Sequence, residues 1–126
     1  MINLDYICAK TGQEISTKAE ENIFRKALGI LQEDGVYAMF LWLENKDKNV
    51  REILYTELLK NDEIKKQLLC DSSGFLNKDF KNFCEQLQKV SADIDKLFFL
   101  KKILERTLTY ALYHARIKGE KNVDKA

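Results

Sequence analysis

Val36-Tyr37-Ala38-Met39-Phe40-Leu41-Trp42-Leu43 is the longest apolar run in the chain, and its reading as strand or helix decides the fold class. An uninterrupted apolar octet suits a buried parallel strand as well as a helix buried all round. Two features favour the helix. Ala38, Met39, Leu41 and Leu43 are good helix formers, and no second stretch of strand character exists to pair with it. The run is far too short to cross a bilayer. It is therefore read as a central helix. Tyr37, Phe40 and Trp42 are expected in the core rather than on a stacking platform, because neighbouring residues of one helix point in different directions. Any of the three left exposed would mark a protein interface.

On the N-terminal side, Thr17 followed by Glu20 reads as a capping box. The helix it opens carries Ile23, Ala27, Ile30 and Leu31 on one face, widened by Phe24 and Leu28, and stops at Asp34-Gly35 with the glycine as a left-handed cap. Residues 2–10, with Leu4, Ile7 and Cys8, predict a short first helix ending near Thr11-Gly12.

On the C-terminal side a lysine-rich loop, Asn45 to Lys48, is expected before a helix opened by Asn49 and Glu52. Val50, Ile53, Leu54 and Leu58 face inward there, and Asn61-Asp62 breaks or bends the helix before Ile64, Leu68 and Leu69. Asp71-Ser72-Ser73-Gly74 reads as a loop, and Asn77 as the cap of a helix with Phe80, Phe83, Cys84 and Leu87. Ser91 to Asp93 opens the longest helix, running to about Lys118 with Gly119 just past its end and 119–126 as a frayed tail. Its inward residues are expected to be Ile94, Leu97, Phe98, Leu104, Leu108, Ala111, Leu112 and Ala115. The fold class is all-α: one domain over 1–126, a compact bundle of five or six helices with a long C-terminal helix.

Composition agrees with that expectation. The 126 residues include no proline and five glycines, too little turn punctuation for a β-rich domain. A hydrophobic share of 45% beside a charged share of 33% suits folded amphipathic helices rather than disorder. Cys8, Cys70 and Cys84 lack metal-ligand spacing, and His114 stands alone, so packed thiols in a reducing cytoplasm are expected. Met1-Ile2-Asn3-Leu4-Asp5 does not resemble a signal peptide. No serine or cysteine sits in a nucleophile motif, and no glycine-rich phosphate loop exists. Glu20-Glu21 and Glu33-Asp34 read as solvated charges. The expectation is a protein without catalysis and without a cofactor.

A net charge of +1 gives no global signature for nucleic acid, so a polyanion surface has to be local. The final helix offers one. Between Lys96 and Lys118 stand Lys96, Lys101, Lys102, Arg106, Arg116 and Lys118 against the single acid Glu105. Lys102, Arg106, Thr109, Tyr113 and Arg116 are spaced 4, 3, 4 and 3, one helical stripe away from Leu104, Leu108 and Ala115. Such cations neutralise phosphates, and a tyrosine adds a ring or a hydroxyl. The same stripe would equally serve as a solvated face complementing the helix dipole. Arg25 and Lys26, with Lys18 nearby, form a second and weaker basic face, diluted by Glu20 and Glu21.

The segment Lys26-Ala27-Leu28-Gly29-Ile30-Leu31-Gln32-Glu33-Asp34-Gly35-Val36-Tyr37-Ala38-Met39-Phe40-Leu41, a helix ending at a glycine with an apolar helix following at once, resembles the small subunit of type III CRISPR effector complexes, most of all the Cmr-type (III-B) one. Glu105-Arg106-Thr107-Leu108 through Tyr113-His114-Ala115-Arg116 is similar to that family's closing helix. The family's closing tryptophan and Lys-Arg pair are replaced by Leu112 to Ala115, with Arg116 offset. The resemblance implies a non-catalytic subunit that stacks with copies of itself and with backbone subunits. Its basic surfaces would then line the channel holding the guide–target RNA duplex, with Lys101, Lys102, Arg106, Tyr113, Arg116, Lys118, Arg25 and Lys26 as the RNA-contacting residues. The alternative is a helical adaptor that binds another protein through an exposed apolar face, without RNA.

Overall fold

The computed structural model describes residues 4–59, Ile64 and residues 80–124. Six α-helices account for nearly all of these residues, and among them there is no strand. They are α1 (Leu4–Ser16), α2 (Glu21–Asp34), α3 (Val36–Lys46), α4 (Lys48–Ile53), α5 (Phe80–Ser91) and α6 (Ile94–Asp124). A π-helical segment, Leu54–Leu59, continues α4. The apolar octet lies on α3, as the propensity argument required. The loop at 71–74, the cap at Asn77, the junction at Asn61-Asp62, and Leu68, Leu69 and Cys70 lie outside the described residues, as does the side chain of Leu58.

The core is built around α6, which lies against both α1 and α2, while α2 also packs on α3. Phe24, Phe40, Ile15, Leu31, Met39, Leu43 and Leu54 are the largest fully buried side chains. Each is worth about 1.5–3 kcal/mol relative to exposure. On α2 the inward line is Phe24, Ala27 and Leu31, with Ile23, Leu28 and Ile30 packed at its edges. On α3, Phe40 is buried and Tyr37 and Trp42 pack partly buried against the core.

Helix ends depart from expectation in several places. Helix α1 does not stop at Thr11-Gly12 but runs on to Ser16. Gly12 is there for close approach: a Cβ would sit 2.8 Å from both the Thr107 carbonyl oxygen and Tyr110 Cβ of α6. Thr17 does not form the expected capping box. Its hydroxyl donates back to the Glu14 carbonyl oxygen (2.8 Å), closing α1, and α2 begins after Glu20 without a side-chain cap. Gly35 does end α2 at positive φ, but at φ 101° and ψ 179° it is extended rather than left-handed helical. Its N–H donates to the Ile30 carbonyl oxygen (3.1 Å). The loop predicted from Asn45 to Lys48 shrinks to one residue, Asp47, and Asp47 rather than Asn49 is the cap, its Oδ1 accepting from the Val50 N–H (3.2 Å).

Asp93 opens α6, its Oδ1 accepting from the N–H groups of Asp95 (3.0 Å) and Lys96 (3.2 Å). The helix does not stop before Gly119. It continues to Asp124, so 119–124 is helix rather than tail. Ile94 and Phe98, expected inward, are exposed at 65% and 63%. The inward seam follows Leu97, Leu100, Leu104, Leu108, Ala111, Leu112 and Ala115, flanked by Ile103 and Thr107; Phe98 falls outside it, and Ile94, on the same line as Leu112 five turns away, stands exposed in the first turn of the helix. Buried Thr107 turns its hydroxyl to the Ile103 carbonyl oxygen (2.8 Å).

Candidate nucleic-acid interface

Helices α1 and α2 pack against one side of α6, and the predicted stripe lies on an exposed side. Lys102, Arg106, Tyr113 and Arg116 are all exposed, and Lys101 is half-buried at the margin. Thr109 belongs to the stripe by position, but its hydroxyl donates to the Glu105 carbonyl oxygen (2.7 Å) and is turned into its own helix. The Lys118 side chain lies outside the described residues.

Two carboxylates from the neighbouring helices sit against this basic face. Glu21 Oε1 accepts from Arg116 Nε at 2.9 Å and from Arg25 Nη2 at 2.7 Å. One carboxylate thus ties α2 to α6 and holds both guanidinium groups. The two basic faces that sequence spacing kept apart, Arg25 on α2 and Arg116 on α6, therefore meet. Lys26 is exposed beside Arg25. Further along α6, Asp5 Oδ1 lies 3.8 Å from Arg106 Nη1 and accepts the Tyr110 hydroxyl proton at 2.6 Å. That hydrogen bond holds the Tyr110 phenol above its ordinary pKa. The Arg116 guanidinium lies 6.0 Å from the centre of the Tyr113 ring, at the outer limit of a cation–π contact.

These surface pairs are weak beside the core. An exposed ion pair contributes about 0–1 kcal/mol. A single buried aliphatic or aromatic side chain contributes about 1.5–3 kcal/mol. Asp5 and Glu21 can accordingly give up their arginines to another anion without loss of the fold. The carboxylates set the resting charge of the face, and Lys102 adds to it. Asp5 and Glu21 as internal counter-ions were not foreseeable from spacing, since Glu21 and Arg116 are 95 residues apart.

A second polar group lies between α3, α4 and α5. Arg51, only 5% exposed, forms an ion pair with Glu44, and the Gln88 side chain donates to the Tyr37 hydroxyl at 3.4 Å. Burial pushes the nearby Cys84 thiol up, against a hydrogen bond with Tyr37 that lowers it. Burial likewise raises the Cys8 thiol, which donates to the Ile103 carbonyl oxygen at 3.5 Å. Thiols shifted this way are disfavoured as nucleophilic thiolates. Among the described residues, no three His, Cys, Asp or Glu side chains gather closely enough to hold a metal ion, and no helix is long and apolar enough to cross a membrane. In comparisons with known proteins, no family model, no curated protein and no solved structure matches the chain.

Proposed function

We propose that the chain is a non-catalytic small subunit of an RNA-guided CRISPR effector complex in the cytoplasm. It docks onto backbone subunits and further copies of itself, and lays its basic face against the backbone of guide or target RNA. The observation that carries this reading is the joined basic surface of α2 and α6, where Arg25, Arg116, Arg106 and Lys102 stand exposed beside Tyr113. The similarity of segments 26–41 and 105–116 to the Cmr-type small subunit supports the choice of partner. Phosphate contacts make such binding salt-dependent, and a few contacts per subunit make it weak until copies assemble along one strand.

The test is the joint variant Lys102→Glu, Arg106→Glu, Arg116→Glu. It should abolish RNA retention by the assembled complex while circular dichroism still reports the native helix content. Unchanged RNA affinity at low salt sinks the reading.

The adaptor reading has one observation in its favour. Ile94 and Phe98 form an exposed apolar pair one helical turn apart at the start of α6. On that reading, the native chain binds no RNA, and Phe98→Asp loses a protein partner recovered from native extract. A monodisperse monomer that recovers no partner counts against it.

A further inference from the structure

Between the first turn of α1 and the first half of α6 lies a cleft of about 140 Å³, lined by Leu4, Phe99, Lys102, Ile103 and Arg106. Its α6 wall repeats at helical spacing, so an aromatic ring, an apolar floor and two cations share one flank. Lys102 and Arg106 belong at the same time to the exposed basic stripe. The cleft therefore opens directly beside a path on which phosphates would lie.

We propose that this cleft receives one unpaired nucleotide of RNA, its base against Phe99 and its phosphate between Lys102 and Arg106. The proposal rests on the RNA-binding reading above but departs from the duplex that the resemblance implies, in that the strand is unpaired where it meets α6. Size is the first argument. Pockets for drug-sized ligands measure roughly 300–1,000 Å³, so this cleft suits a group no larger than one ring system. The second is the aromatic wall. A paired base hides its faces within the stack, whereas an unpaired base presents them to aromatic side chains without regard to sequence.

Charge supplies the third argument. Arg106 has Asp5 at 3.8 Å, beyond hydrogen-bond distance, so an incoming phosphate meets a guanidinium with bonds still to make. Asp5 already stands where a partner's carboxylate would stand. An acidic peptide would satisfy the cations but leave the ring of Phe99 without a stacking partner.

The experiment measures binding of the full chain by fluorescence anisotropy at low salt. The probes are a short oligouridylate, an RNA duplex of the same length, and a blocked peptide rich in aspartate and phenylalanine. The oligouridylate should bind more tightly than the duplex. Phe99→Leu, which keeps the apolar bulk, should weaken the oligouridylate by about 5- to 150-fold and leave the duplex unchanged. Asp5→Asn, at an exposed side chain, should tighten the oligouridylate and supplies the readout if Phe99→Leu fails to fold. The inference falls if neither substitution changes oligouridylate binding, or if the peptide binds in its place with the same sensitivity to Phe99→Leu. Should Arg116→Glu weaken both RNAs while Phe99→Leu weakens neither, only the cleft assignment fails. Absence of RNA binding both by the folded chain at low salt and by the assembled complex overturns both.

Discussion

At the residue scale, Gly29 within α2 and Gly35 just after it serve different purposes. Gly35 adopts φ 101° and ψ 179°, a conformation closed to L side chains, and it lets α3 leave α2 without an intervening loop. Gly29 is an ordinary helical residue with open space where a Cβ would stand. Gly35→Ala should therefore destabilise by about 1–3 kcal/mol. Gly29→Ala should stabilise by about 0.5–1 kcal/mol. Urea denaturation of the two variants separates these signs, and a neutral Gly35→Ala would remove the strained turn from the account. The punctuation role of Gly35 was legible because a glycine between two apolar runs marks a helix end. That of Gly12 was not, because only the closeness of α6 forbids a side chain there.

The elements show the same division. Helices α2 and α3 and the start of α6 were legible from apolar spacing and from Asp93, since these are local properties. The elbow at Asp47 was misplaced by two residues because several side chains nearby could cap, and the choice is made by how α3 and α4 pack. Arg51 marks that junction. Its buried ion pair with Glu44 joins α4 to α3, and Glu44 keeps 22% of its side-chain surface in water. Glu44→Ala removes one charged partner of a buried guanidinium and should cost about 1.5–3 kcal/mol, the range for a hydrogen bond to a charged group. Thermal unfolding followed by circular dichroism reads this directly, and a loss within the surface-pair range of about 0–1 kcal/mol would show that the junction does not depend on Glu44. Ile94 and Phe98 illustrate the opposite error. Their apolarity predicted burial, but the seam through Leu97, Leu100 and Leu104 left Phe98 outside, and Ile94 stands exposed in the first turn of the helix.

Over the whole molecule, the functional reading turns on how charge is shared between helices. Glu21 holds Arg25 and Arg116 together, so the resting protein presents these guanidinium groups partly neutralised. Glu21→Gln should lower stability by no more than about 1 kcal/mol. It should tighten RNA binding, and steepen the slope of log affinity against log salt by about 0.7 for each arginine that gains a phosphate. A salt titration of the variant in the assembled complex gives the slope, and an unaltered slope means that Glu21 does not withhold these arginines from RNA.

The all-α class, the long final helix and the identity of the basic stripe were determined by sequence alone. Helical periodicity, helix propensity and the exposure of charged side chains are written in residues a few positions apart. Tertiary structure alone decided which cations are countered, that the two basic faces meet at Glu21, and that Phe99, Lys102 and Arg106 border a cleft with Leu4. Those facts depend on the angle and register at which α1 and α2 cross α6. Close contacts such as that at Gly12, between residues about a hundred positions apart, set that register, and no local pattern encodes it.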